Sequence, residues 1–242
     1  MAMSEMNRFN RVSFTDSDCV PRGEMDLHTE LLADLFTGLR AHFERVPNLY
    51  VACDLIVHYE KDLPDQGVVP DLFAVRGVGR HPRTSWLTWE EGAGPEFVLE
   101  VMSDSSRIDD QGNKKVLYAE LGVKEYFLFD PQHRHLKPCL QGFRLVDGEW
   151  EPLAGTCLRS EVLGVDFFLE GETLRLVDAC TGKRILRRAE QDEALRAAEE
   201  ALHAAEEGLH AAEEALCQER QARLALEAEV ARLRAPGWED VS

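Results

Sequence analysis

The sequence predicts an α/β fold: a mixed β-sheet core flanked by helices, followed by a long C-terminal helical tail. Three observations carry that expectation. "EFVLEVMSDSSRIDDQGNKKVLYAELGVKEYFLFDP", Glu96 to Pro131, reads as strand, helix, strand, the order a crossover between parallel strands requires. "GFRLVDGEWEPL" places Asp147-Gly148 between alternating apolar positions, a strong hairpin signal, and "GVDFFLEGETLRLVD" repeats the theme with Glu170-Gly171. From about Ile185 the composition turns to Ala, Glu, Leu and Arg with a seven-residue repeat, "LRAAEEA", "LHAAEEG", "LHAAEEA". The chain therefore reads as an N-terminal extension (1–24), a globular domain (25–184), a helix (185–234) and a short tail (235–242).

The elements follow in order. In "MDLHTELLADLFTGLRAHFERV", Leu27, Leu31, Leu35, Leu39 and Phe43 recur every four residues with Leu32 and Phe36 beside them, the stripe of an amphipathic helix. "LYVACDLIVHYE" (Leu49 to Glu60) is β-branched and aromatic, and "KDLPDQG" is a turn before the strand candidate "VVPDLFAV", so a hairpin ending at Val75 is expected. "RGVGRHPRTSWLTWEEGAG" is Gly-rich and polar and reads as a long loop. "EFVLEVMS" is then a strand. Asp109 or Asp110 offers a helix N-cap, Val116, Leu117 and Leu121 supply an apolar face ending at Gly122, and "EYFLFD" is a buried strand stopped by Pro131. The two later hairpins should close or flank the main sheet.

In the tail, Leu195, Leu202, Leu209 and Leu216 share heptad position a and Ala198, Ala205 and Ala212 share d, continuing through Leu226, Val230 and Leu233. Glu219 and Arg223 interrupt the seam. A self-associating coiled coil, giving a homo-oligomer, and a solvated single helix both fit this pattern; the helix should stop before Pro236.

Composition narrows the function. The 242 residues are 44% hydrophobic and 30% charged, enough for one well-buried domain plus an appendage. No apolar run approaches a membrane span, and "MAMSEMNRFNRVSF" lacks the apolar stretch of a secretory signal, so a cytoplasmic protein is expected. Six scattered cysteines form no C-x-x-C pair, which argues against a zinc cluster and for reduced thiols. A net charge of -18 argues against a protein that coats nucleic acid. It does not exclude a metal-dependent phosphate enzyme, because a bound cation offsets the local repulsion.

Glu100 is the informative residue: a carboxylate inside a buried strand is costly unless it is paired or binds a metal. Asp71, at the head of "DLFAV", poses the same problem. On neighbouring strands the two acids can converge, offering the hard oxygens that Mg²⁺ or Mn²⁺ prefers, with the Val101 carbonyl as a third. Lys114, in the first turn of the next helix, is the nearest cation in sequence; Lys115 points about 100° away from it. The plainer alternative is an exposed Glu100, a turn-capping Asp71 and an ordinary lysine.

Other features rank lower. His133 and His135 alternate as on a strand but have no third metal ligand in evidence. Arg76, Arg80, Arg83, Trp86 and Trp89 could contact a nucleic-acid strand, or the tryptophans could pack the loop onto the domain.

The stretches "YVACDLIVHYE", "VVPDLFAVRGV", "SWLTWEEGAGPEFVLEVMSDSSR", "KKVLYAELGVKEYFLFDP", "LQGFRLVDGEWEPL" and "SEVLGVDFFLEGETLRLVDACTGKRIL" resemble, in this order, the Uma-two family of restriction endonucleases. That family is a branch of the PD-(D/E)xK nuclease superfamily, and the likeness runs from about Met25 to Leu186. It implies a restriction-endonuclease-like fold, hydrolysis of DNA phosphodiesters, and a Mg²⁺ or Mn²⁺ cofactor. The family's Pro-Asp falls on Pro70 and Asp71, its strand acid on Glu100, and its lysine on Lys114. The superfamily's strand lysine would lie at Met102, and Asp104 stands where a proline is common. Glu30 is the match to a first-helix glutamate that can join the metal site; His28 reads as an exposed or packed histidine. A catalytically inactive relative, acting as a binding or assembly module through its coiled coil, is the alternative, and a purely structural protein a third.

Overall fold

The computed structural model describes residues 22–63, 66–103 and 112–234. The chain divides into two units, Met1–Arg188 and Ala189–Ser242. Asp104, the N-cap candidates Asp109 and Asp110, and the 235–242 tail lie outside the described residues.

The first unit begins with α1 (Arg22–His42). Its buried stripe is Leu32, Leu35 and Leu39, continued by Phe43 just beyond the helix, while Leu27 is largely exposed. The expected hairpin is more elaborate than the sequence suggests. The run Leu49–Glu60 breaks at Asp54, which takes a positive φ of 49°, into β1 (Leu49–Cys53) and β2 (Val57–His58). "VVPDLFAV" likewise splits at Pro70 into β3 (Gly67–Val68) and β4 (Leu72–Arg76). β1 and β4 pair antiparallel, from Leu49 opposite Arg76 to Cys53 opposite Leu72, while β2 and β3 belong to a separate small sheet. The segment expected as a plain loop contains β5 (Trp86–Leu87) and α2 (Thr88–Glu91), and β5 pairs parallel with β2.

β6 (Phe97–Val101), α3 (Asn113–Glu120) and β7 (Glu125–Phe129) form the expected unit, and β6 and β7 pair parallel from Phe97 opposite Glu125 to Val101 opposite Phe129. Of the expected face of α3, Leu117 and Leu121 pack against the core and Val116 does not. Val116 is 52% exposed, and Tyr118 is fully buried. The reason is periodicity: Lys114 and Tyr118 are four apart and turn inward together, which leaves Val116 about 160° from Tyr118 around the helix.

Asp147 (φ 50°) and Gly148 (φ 85°) form the turn between β8 (Leu140–Val146) and β9 (Glu149–Pro152), both central residues taking the left-handed conformation that a tight hairpin needs. This hairpin extends the main sheet, giving the order β1-β4-β6-β7-β8-β9 among the described residues. The second hairpin instead joins β10 (Cys157–Ser160) in its own sheet with β11 (Val165–Glu170) and β12 (Thr173–Asp178).

Alternation along the strands divides the core. Leu72, Ala74, Phe97, Leu99, Val101, Phe127 and Phe129 pack with α1 and with Phe167, Leu174 and Leu176 of the β10–β12 sheet. Phe73, Val75, Val98, Met102, Tyr126 and Leu128 pack with Tyr118 and with the small sheet through Val57 and Trp86. Glu125, 1% exposed, ties the sheets together: it accepts hydrogen bonds from the Ser160 hydroxyl and, at 2.8 and 3.3 Å, from the N–H groups of Glu161 and Val162.

The second unit holds the rest of α4 (Arg188–Arg234), a 47-residue helix. Its leucine seam is open: Leu195, Leu202, Leu209 and Leu216 are 59, 61, 62 and 49% exposed. No helix among the described residues is long and apolar enough to cross a membrane.

Phe167 stacks on Phe97 and tilts against Phe127, joining the β10–β12 sheet to the main one. Phe167→Ala should therefore lower stability by about 3–5 kcal/mol. Chemical denaturation of both proteins checks this; a loss within error would mean that the sheets are held together elsewhere.

Candidate active site

Glu100 occupies the fourth position of a strand whose five residues are all buried, and its side chain points to the α3 face with Val98 and Met102. At 0% exposure its carboxylate must find partners inside the protein. Oε1 accepts the Tyr118 hydroxyl at 2.6 Å. Oε2 accepts the Lys114 ammonium at 3.0 Å and the Asp71 N–H at 3.3 Å. Lys114 and Tyr118 can grip the same carboxylate because they are one helical turn apart on α3. Lys114 also lies 3.5 Å from the Val69 carbonyl, at the approach to Asp71.

Asp71 sits just ahead of β4, which pairs with β6 through Leu72 opposite Leu99. Its Oδ2 takes the Val101 N–H at 2.6 Å, replacing a ladder bond, and its Oδ1 lies 3.5 Å from His28 Nε2 of α1. A strand residue's N–H and C=O face the same edge, so the Val101 carbonyl is also on the Asp71 side. Asp71, Glu100, Val101 and Lys114 are thus brought to one end of the sheet. Lys115 is turned away, its ammonium 3.4 Å from the centre of the Phe143 ring, and burial lowers its pKa.

Two further residues belong to this neighbourhood. Asp54 closes β1, and its N–H donates to the Asp71 carbonyl at 3.2 Å. Packing on its inner side raises the Asp54 pKa and the Asp71 charge raises it further, while His28 and Lys114 oppose the shift, so all four groups share one field. His28, rather than Glu30, is the first-helix residue that reaches Asp71; Glu30 is exposed. The i, i+4 relation of Lys114 and Tyr118 was the available sequence signal, and it identifies no partner across the sheet.

The other candidates resolve differently. His133 has a positive φ of 55° in the turn after β7, so the pair does not alternate on a strand; that turn is organised by Asp130, which accepts the N–H groups of Gln132, His135 and Leu136. Trp86 is fully buried with its indole N–H on the Ala93 carbonyl at 2.9 Å. Arg83 stacks over Tyr50 and Trp86 at 4.4 and 4.7 Å and pairs with Glu91, one N–H bond measuring 2.8 Å. These groups pack the segment onto the domain. Arg76 donates to the Val162 carbonyl, and Arg80, exposed, to the Glu44 carbonyl.

Among the described residues, no group of three or more His, Cys, Asp or Glu could hold a metal ion. The oxygens at this site are two carboxylates and a main-chain carbonyl. That set fits Mg²⁺, which takes one or two carboxylates and keeps several waters, better than zinc, which wants a closed nitrogen and sulfur cage.

No curated protein matches the chain. Among solved structures, it is similar to one described as a "putative nuclease belonging to DUF820" from Anabaena variabilis, at 16% identity over 59% of this chain and 75% of that one, with a TM-score of 0.42. Residues 11–175 match the Uma2 family, reaching further toward the N-terminus than the likeness read from the motifs and stopping short of Leu186. The chain belongs to that family, whose description is "Putative restriction endonuclease".

Proposed function

We propose that the chain is a cytoplasmic metal-dependent endonuclease that hydrolyses DNA phosphodiester bonds, with Mg²⁺ or Mn²⁺ held by Asp71, Glu100 and the Val101 carbonyl. The observation that carries this reading is a fully buried Glu100 joined to the Asp71 N–H and the Lys114 ammonium at one sheet end. Family membership supports a nuclease, and the oxygen-only donor set supports a hard divalent cation. When bound, such a cation would lower the pKa of water and stabilise negative charge on a phosphoryl group.

The protein's own groups then have defined tasks. The Val101 N–H and His28 fix the two Asp71 oxygens, and Tyr118 fixes the rotation of the Glu100 carboxylate. Lys114, 19% exposed, is the cation that can orient the attacking water or balance charge developing on the phosphate. Its place on α3 does the work that a lysine at Met102 would do from β6.

One observation favours the catalytically inactive alternative: both Glu100 oxygens already accept hydrogen bonds within the protein, which satisfies a buried carboxylate without any metal. The two readings separate in one experiment. With Mg²⁺ or Mn²⁺ the purified chain should nick DNA, Asp71→Ala and Glu100→Ala should each abolish nicking, and Lys114→Ala should slow it by on the order of 10²-fold. The metals should also raise the melting temperature of the unaltered chain and leave Glu100→Ala unchanged. Nicking that survives both carboxylate substitutions removes the assignment, and an inert protein with no metal-dependent melting shift supports the binding module.

We further propose that α4 pairs with a second copy through its Leu195, Leu202, Leu209 and Leu216 seam, because four half-exposed leucines in register are the surface a coiled coil buries. Leu202→Lys with Leu209→Lys should convert the oligomer to a monomer in sedimentation equilibrium without changing the melting of the first unit. A wild-type chain that sediments as a monomer would refute the pairing.

A further inference from the structure

A cavity of about 240 Å³ lies along the outer edge of β1, which among the described residues ends the main sheet beside β4. α1 forms one wall with Phe36, Arg40 and Phe43, and the segment Arg80 to Arg83 forms the other. Among the described residues its lining holds three arginines and no carboxylate, in a chain of net charge -18. Arg83 is fixed by Glu91 and stacks on Tyr50, making a rigid cationic and aromatic wall. Arg40 and Arg80 are both exposed, Arg40 resting over Phe36 at 5.2 Å.

The cavity adjoins the acidic site. Cys53 lines it, and the next residue, Asp54, donates to the Asp71 carbonyl. Along β1 the distance from Tyr50 to Asp54 is about 13 Å at the rise of an extended strand. Burial raises the Cys53 thiol to about 11, with Asp54 and Asp71 adding to the shift and Arg40 opposing it.

We infer that this groove binds the sugar–phosphate backbone of a single nucleic-acid strand beside the Asp71–Glu100 site, an inference that rests on the nuclease reading. Arg40 and Arg80 neutralise phosphates, and the Tyr50–Arg83 wall bounds a sugar or base. At about 240 Å³ the cavity is no larger than a single nucleotide, so it takes one backbone position of a strand and leaves no room for a duplex. A phosphate carried by a strand and a free phosphate ion would meet the same arginines, so the two sources must be separated by measurement.

The test uses the full chain carrying Glu100→Gln, in EDTA, with a short fluorescein-labelled single strand followed by anisotropy across a salt series. Arg40→Glu with Arg80→Glu should weaken binding by on the order of tenfold or more and flatten the logarithmic salt slope by about 1.4, two contacts at the single-strand value. Arg40→Lys with Arg80→Lys should keep most of the affinity, which guards against a folding artefact. Equal affinity in the charge-reversed chain, or no strand binding at all, overturns the inference. A melting shift with inorganic phosphate and none with the strand assigns the groove to a free anion and also overturns it. Hydrolysis of bis(p-nitrophenyl) phosphate by the unaltered chain with Mn²⁺ reads the chemistry separately: its absence defeats the nuclease reading and leaves the strand-binding result standing.

Discussion

The burial of one carboxylate organises this domain. Glu100 is the fourth of five residues in a fully buried strand, and polar groups from two places must reach it: Lys114 and Tyr118 of α3, and the Asp71 N–H just ahead of β4. That requirement sets the angle of α3, since Lys114 and Tyr118 have to face inward together, and it draws the start of β4 against the end of β6. Removing a single partner would leave charge uncompensated in a low-dielectric setting, which is far more costly than never having buried it. The site and the core are therefore one construction.

Two other buried acids show the contrast. Asp130 is held by three main-chain N–H groups, and Glu125 by two, with the Ser160 hydroxyl and the Arg144 guanidinium added. For Asp130, burial raises the pKa but three N–H bonds outweigh it and leave it lowered. Glu100 is held chiefly by two side chains of one helix, Lys114 and Tyr118, with one main-chain N–H from Asp71.

Much of this was legible in the sequence, and the pattern of success is physical. The β6–α3–β7 unit, the Asp147-Gly148 turn and the buried Glu100 depend on local periodicity and turn chemistry, which the order of residues displays directly. The division of Leu49–Glu60 between two sheets did not show, because a β-rich run looks alike whether or not one aspartate adopts positive φ. Val116 was misplaced for a similar reason: hydrophobicity favoured it, while the need to satisfy Glu100 turned Tyr118 inward. His28 and Asp54 were missed since their partner, Asp71, is distant in sequence, and only pairing of β1 with β4 brings it close. Conversely, Trp86 looked like part of a nucleic-acid surface, yet it is buried and packs a segment whose strand and short helix were too brief to leave a periodic signal.

The position of Cys53, between the arginine-lined groove and the acids, has a redox consequence. With its pKa near 11, the thiol is ionised in only about one molecule in ten thousand at neutral pH. Thiolate is the form that reacts with peroxide and captures soft metals such as copper(I). Burial beside two carboxylates therefore keeps sulfur chemistry silent at the boundary between the arginine-lined groove and the acids.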